Sequence, residues 1–178
     1  MEYDGKKMEE SVRLFFEAIG DDPDRDGIKD TPTRVAKMYA EIMNGYFLDP
    51  KDFVTEFDND GGYDGPVVLK DAKFYTVCEH HLQQFSGTLD IAYQPKDKIV
   101  GLSKLVRIAR VFAKRPQVQE RLTKQIADSI DEILNPEWIV VRINAEHFCM
   151  SIRGVRVPGT STTTIYGHGA YPRDIFSI

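Results

Sequence analysis

From Val67 onward the apolar residues change their spacing, and this change restricts the fold more than any other feature of the chain. Residues 67–77 read as a strand, and Phe85, Leu89, Ile91 and Tyr93 share one face of a second. Helical spacing then takes over. Leu105, Ile108, Ala109 and Phe112 form one stripe, with Ser103 as its expected cap. Pro116 interrupts, and Val118, Leu122, Ile126 and Ile133 form a second stripe. Alternation returns with Ile139, Val141 and Ile143, and further strands are expected over 150–157 and 160–166. Neighbouring strands that come in pairs, with two helices between them, imply an antiparallel sheet carrying helices on one face. The class is α+β.

The residues before Val67 have a different character. Met8, Val12, Phe15 and Ile19 mark an amphipathic helix that Gly20 ends. Thr31-Pro32 reads as the cap and first residue of a second helix, with Val35, Met38 and Ile42 inward and Asn44-Gly45 as its stop. Residues 57–65 read as a loop. The expected organisation is an N-terminal helical segment, 1–60, and a main domain, 61–178. Asp22, Asp24, Asp26 and Gly27 imitate the start of a calcium loop, but its twelfth position is Thr33 where a bidentate Glu is needed. A solvated acidic turn accounts for them better.

Charge narrows the function. The net charge of −5 argues against a general nucleic-acid binder. Basic residues nevertheless gather between 104 and 124, where Lys104, Arg107, Arg110, Lys114, Arg115, Arg121 and Lys124 face only Glu120. A local anion site in an acidic protein fits that distribution. No apolar run is long enough to span a bilayer, and the first residues lack a signal-peptide pattern, so the expected location is the cytoplasm, with no membrane partner.

The two cysteines, Cys78 and Cys149, are far apart in sequence. Cys78-Glu79-His80-His81 offers a thiolate and an imidazole at a spacing that lets both reach one zinc ion. Taken alone, the segment also fits a buried thiol beside two surface histidines. Glu146-His147-Phe148-Cys149 brings the second cysteine, so both cysteines and three of the four histidines lie in two short segments. On a strand, His147 and Cys149 would point to the same side. Cys78, His81 and Cys149 would hold a zinc ion with one position open, as catalytic sites require. His80 and His147 would stand beside it for acid–base work.

Lys104 and Arg107 lie three apart near a helix start, beside Ser103, where charge and unpaired N–H groups suit a phosphate. A solvated basic face is the plainer reading of that pair. Glu120, after Gln119, either favours the positive end of a helix or accepts hydrogen bonds from a ligand; the pattern does not decide.

Six segments together resemble the GTP cyclohydrolase I family. They are residues 30–39, DTPTRVAKMY; 78–82, CEHHL; 101–105, GLSKL; 117–127, QVQERLTKQIA; 145–150, AEHFCM; and 153–156, RGVR. They occur in the family's order. The resemblance implies a tunnelling fold that assembles into rings, a homodecamer of two stacked pentamers with active sites between subunits. It implies that Cys78, His81 and Cys149 hold Zn2+ and that His80 and His147 move protons. Gln119 and Glu120 would clamp guanine. Ser103, Lys104, Arg107 and Arg153 would line the triphosphate and ribose, with Arg34 and Lys37 reaching in from a neighbour. The implied reaction opens the imidazole ring of GTP, releases C8 as formate and, after opening, rearrangement and reclosure of the ribose, yields 7,8-dihydroneopterin triphosphate, with His80 and Ser103 assisting the ribose steps.

The chain departs from the family pattern at Gln84, where proline is common, and at Asp90, where histidine is common. It departs again at Pro116, where leucine is usual, and at Asn144, where glutamate is usual. None of these is a proposed ligand or base. Two rival readings stand beside this one. A same-fold relative could act on another purine or pterin. A non-catalytic zinc module would need four protein ligands and would leave His80 and His147 without a task.

Overall fold

The computed structural model of the chain describes residues 2–177. It begins with two helices, α1 (Gly5–Ala18) and α2 (Thr31–Ile42), packed on one another. Asp4 starts α1 by accepting the Lys7 N–H at 3.0 Å. Gly20, at φ +83°, lets the chain leave it. Thr31 is the first residue of α2 and not its cap; Asp30 holds the cap position without a side-chain bond.

Glu56–Asp58 forms a short strand, β1, paired with β4 (Lys98–Val100), so Phe57 and Asp58 are strand where loop was expected. The main sheet holds β2 (Val67–Cys78), β3 (Gln84–Gln94), β6 (Trp138–His147) and β7 (Ser161–His168) as antiparallel neighbours in that order. A two-residue strand, β5 (Pro116–Gln117), adds to β2 in parallel at Val77 and Cys78. Helices α3 (Leu102–Ala113) and α4 (Gln119–Leu134) lie on one face, as the order of periodicities implied.

That face is the main core. Phe85, Leu89, Ile91, Ile139, Val141 and Ile143 meet Leu105 and Ile108 from α3 and Leu122, Ile126 and Ile130 from α4. Burying each large aliphatic side chain contributes about 1.5–3 kcal/mol. On the opposite face Ala92, Trp138 and Val140 are covered by Ile175 and Phe176 near the C-terminus. Asp90, one of the departures from the family pattern, is buried behind this face. It accepts the Asp71 N–H at 2.7 Å, where β2 bulges and Asp71 takes φ 59°. It also accepts from Arg142 at 2.7 Å, and the Arg142 guanidinium lies 4.6 Å over the Phe176 ring. The carboxylate thus satisfies a bulge and an arginine together.

The strand expected over 150–157 does not form. A short helix, α5 (Phe148–Ser151), follows β6 directly, and Gly154, Arg156 and Gly159 then turn the chain at positive φ. Glu146 ties the turn together by accepting from Ser151 Oγ at 2.8 Å and the Gly159 N–H at 2.9 Å. Ile152 and Val155 imitated a strand, yet they are 57% and 71% exposed; no core face meets them. Ser103 lies inside the first turn of α3, and Gly101 occupies the cap position with no side-chain bond. Among the described residues no helix is long and apolar enough to cross a membrane.

Candidate active site and its metal cluster

Three segments meet at one end of the sheet because of its register. Phe85, at the start of β3, pairs with Thr76 near the end of β2 and with His147 at the end of β6. Pro116 and Gln117 pair with Val77 and Cys78, which brings the first turn of α4 to the same end. Pro116, another of the departures, therefore sits in a connector that strand pairing anchors.

Cys78 ends β2 and begins a tight turn. Its N–H donates to the Gln83 carbonyl at 2.8 Å, and its carbonyl accepts from Leu82 N–H at 2.9 Å. Leu82 takes φ +52°, a conformation that L-residues disfavour, and so bends the chain back through His81. The Glu79 N–H donates to the Gln117 carbonyl at 3.1 Å. The Glu79 carboxylate pairs with Arg121, whose guanidinium holds it below the usual carboxylate range.

The turn and α5 bring Cys78, His81 and Cys149 together, with ligand atoms within 4.8 Å of one another. The two sulfurs are 4.0 Å apart. In a tetrahedron with metal–sulfur bonds of about 2.3 Å, two sulfurs stand roughly 3.8 Å apart. The spacing and the thiolate–imidazole donor set therefore fit a zinc-like ion. Burial, and then the neighbouring Cys78, raise the pKa of Cys149. Bare, the Cys149 thiol resists ionisation; a bound cation reverses that preference. Cys149 reaches the cluster from a helical turn and not from the strand on which it was expected.

His147 lies beside the cluster. Its ring stacks on Phe85, with centroids 4.3 Å apart and planes 8° from parallel. Its Nε2 is 2.8 Å from Gln119 Oε1. Burial lowers its pKa, and the Glu120 carboxylate partly opposes that shift. Arg153 donates to His81 Nε2 at 2.9 Å. His80 is exposed, with Nδ1 4.0 Å from Cys78 Sγ. Glu120 is exposed at the start of α4, whereas Gln119 is 1% exposed and its amide is committed to protein groups.

The remaining expected site residues lie elsewhere in the chain. Tyr93 is eight residues along β3 from Phe85, about 26 Å at strand rise. Its hydroxyl accepts the Val100 N–H at 3.3 Å, immediately before α3. Ser103 and Lys104 therefore start α3 at the end of the sheet opposite the metal cluster, with Arg107 one turn further along. Arg34 and Lys37 are exposed on α2, where Arg34 pairs with Asp30 at 3.3 Å. The sequence reading missed Phe85 as the platform for His147. It also missed Thr123 and Thr164, which hold Gln119. These partners arise from cross-strand register, which no local motif encodes.

Removing metal from the cluster in air is expected to join Cys78 and Cys149 as a disulfide. A thiol titration should then find both free cysteines gone and restored by dithiothreitol. Two thiols that persist under prolonged oxidation contradict the adjacency of the sulfurs.

Comparison with known proteins identifies what the chain is similar to. The family described as GTP cyclohydrolase I matches residues 8–175. The protein named GTP cyclohydrolase 1 from Aquifex aeolicus is 51% identical over 98% of this chain and 93% of its own length. Its namesake from Carboxydothermus hydrogenoformans is 49% identical over 97% of this chain and 90% of its own. That from Streptococcus agalactiae is 48% identical over 95% and 90%. A solved structure, the archaeosine synthase QueF-Like in the apo form, aligns with 62% of this chain at TM-score 0.47 and 15% identity. With the family match running through both helical hairpin and sheet, and half the residues shared with full-length relatives, the chain belongs to the GTP cyclohydrolase I family.

Proposed function

We propose that this chain opens the guanine imidazole ring of GTP by hydrolysis, releases formate and forms 7,8-dihydroneopterin triphosphate. The observation that carries this reading is the Cys78–His81–Cys149 cluster with His147 beside it, in a chain about half identical to proteins named GTP cyclohydrolase 1. Cys78, His81 and Cys149 would hold zinc, which supplies Lewis acidity and lowers the pKa of water near C8. His147, steadied by Phe85, would deliver a proton to N7 as the bond from C8 breaks. Glu120 would accept from N1–H and the 2-amino group of guanine, whereas the Gln119 amide is taken up by protein groups. Arg153, 2.9 Å from His81 Nε2, would meet the phosphate or ribose side. His80 and Ser103 would assist opening and reclosure of the ribose.

Lys104, Arg107 and Ser103 cannot serve the cluster of their own chain from the far end of the sheet. They would serve a neighbour's. A homodecamer of two stacked pentamers supplies such neighbours, and Arg34 and Lys37 would reach in from another copy. Two features support assembly. Among the described residues the outer edge of β7 has no strand partner, and β5 pairs with β2 only at Val77 and Cys78. Joining these edges between copies would close the sheet into a ring and remove both edges. Leu14, Phe15 and Ile19 are also 57–60% exposed along α1.

Mixing two inactive proteins tests the shared site. One carries Lys104→Ala with Arg107→Ala, the other His147→Ala. After subunit exchange, some sites combine an intact phosphate side with an intact His147, and activity should partly return. No recovery, with exchange shown by native mass spectrometry, means that each chain builds its own site.

A further inference from the structure

The hydrogen bonds around Gln119 determine the direction of every proton near it. Thr123 Oγ1 lies 2.8 Å from the Gln119 carbonyl, which can only accept, so the Thr123 proton points there. Thr123 Oγ1 is also 2.6 Å from Thr164 Oγ1. With the Thr123 proton committed, Thr164 must donate across that contact. Thr164 can then only accept from Gln119 Nε2, at 3.1 Å. The same nitrogen faces the carbonyls of Thr162 at 2.9 Å and Ile143 at 3.2 Å, which again only accept. Gln119 therefore turns its NH2 toward these three oxygens and its Oε1 toward His147 Nε2, 2.8 Å away. An amide oxygen cannot donate. His147 Nε2 must carry hydrogen, whether the ring is neutral or charged.

We propose that Gln119 is a positioning residue that holds His147 with Nε2–H fixed, so that His147 exchanges its proton with substrate at Nδ1 alone. The proposal rests on the reading of His147 as the proton-transfer group. Gln119 is 1% exposed and both of its amide hydrogens lie among protein acceptors, so its side chain is built to grip the imidazole. Phe85 fixes the plane of the ring, and Gln119 fixes its rotation and tautomer. A ring free to flip would present Nε2 and Nδ1 in turn, and only one orientation would be productive.

The test uses zinc-loaded protein labelled with 13C,15N-histidine, measured by solid-state NMR at a pH where His147 is neutral. There are four histidines, and the His147 signals are those that vanish in His147→Gln. The expected result is the Nε2–H tautomer in the unmodified protein. In Gln119→Met, which keeps length but lacks the amide oxygen, the Nδ1–H form should appear. That variant should lose roughly 10- to 100-fold in kcat, the range for a residue that orients another in a metal site. Its KM for GTP should stay within about twofold, because no substrate contact is removed. An Nδ1–H tautomer in the unmodified protein overturns the proposal. A raised KM with unchanged kcat in Gln119→Met overturns it too, because that places Gln119 on the substrate. If Gln119→Met does not fold, the spectrum of the unmodified protein still decides. Undiminished formate release by His147→Gln would instead overturn the role of His147 itself, whichever tautomer is found.

Discussion

Replacing His147 with alanine lowers formate release from GTP by roughly two to four orders of magnitude, the contribution expected of a positioned acid–base group. Zinc content and oligomeric state stay unchanged. The reason is geometric. His147 reaches the cluster from the last residue of β6, but its Nε2 is bonded to Gln119 and its ring is stacked on Phe85. Three other side chains already converge as candidate ligands. Removing the imidazole leaves those three in place and empties only the proton-transfer position. Phe85 loses a stacking partner, yet it stays buried among the core aromatics. Metal analysis and native mass spectrometry beside the rate measurement separate this outcome from simple damage. Loss of zinc in the variant would make His147 a ligand and displace one of the assigned three.

Cys149→Ser has the opposite signature: metal and activity disappear together. Serine keeps the size of the side chain but offers no thiolate, and two ligands do not hold a catalytic ion against water. Cys149 is only partly buried, on a short helix at the margin of the main core, so secondary structure measured by circular dichroism should persist. The contrast between the two variants is diagnostic. One keeps the ion and loses the proton path; the other loses the ion. Cys149→Ser protein that retains both zinc and full turnover excludes Cys149 from the ligand set.

Much of this could be read from the amino-acid order because the relevant signals are local. The alternation at Ile139, Val141 and Ile143 and the helical stripe at Leu105, Ile108 and Phe112 each report one buried face, and those faces meet in the core. The Cys78-x-x-His81 spacing reports a turn, and a turn forms there. Errors arose where apolar spacing had no partner surface. Met150 and Ile152, and again Val155 and Val157, alternate like a strand, but glycines and the Glu146 hydrogen bonds fold the segment back on itself. Positioning by register was invisible. Nothing in the order of residues says that Phe85 lies opposite His147, or that Thr162 and Thr164 from β7 grip a glutamine on α4. Nor does it say that Ser103 and Lys104 begin α3 a sheet's length away from the cysteines. Such facts depend on how strands pair, which sequence periodicity leaves open.

The most direct measurement is formate released from GTP as zinc is returned to metal-free, reduced protein. Formate and 7,8-dihydroneopterin triphosphate should appear in equal amounts. Their rate should rise with added zinc and level off at about one ion per chain, because one cluster of three candidate ligands stands among the described residues of each chain. Cys149→Ser should stay near background at every zinc concentration. Full formate release from metal-free protein, or none from protein holding one zinc per chain, would contradict the account.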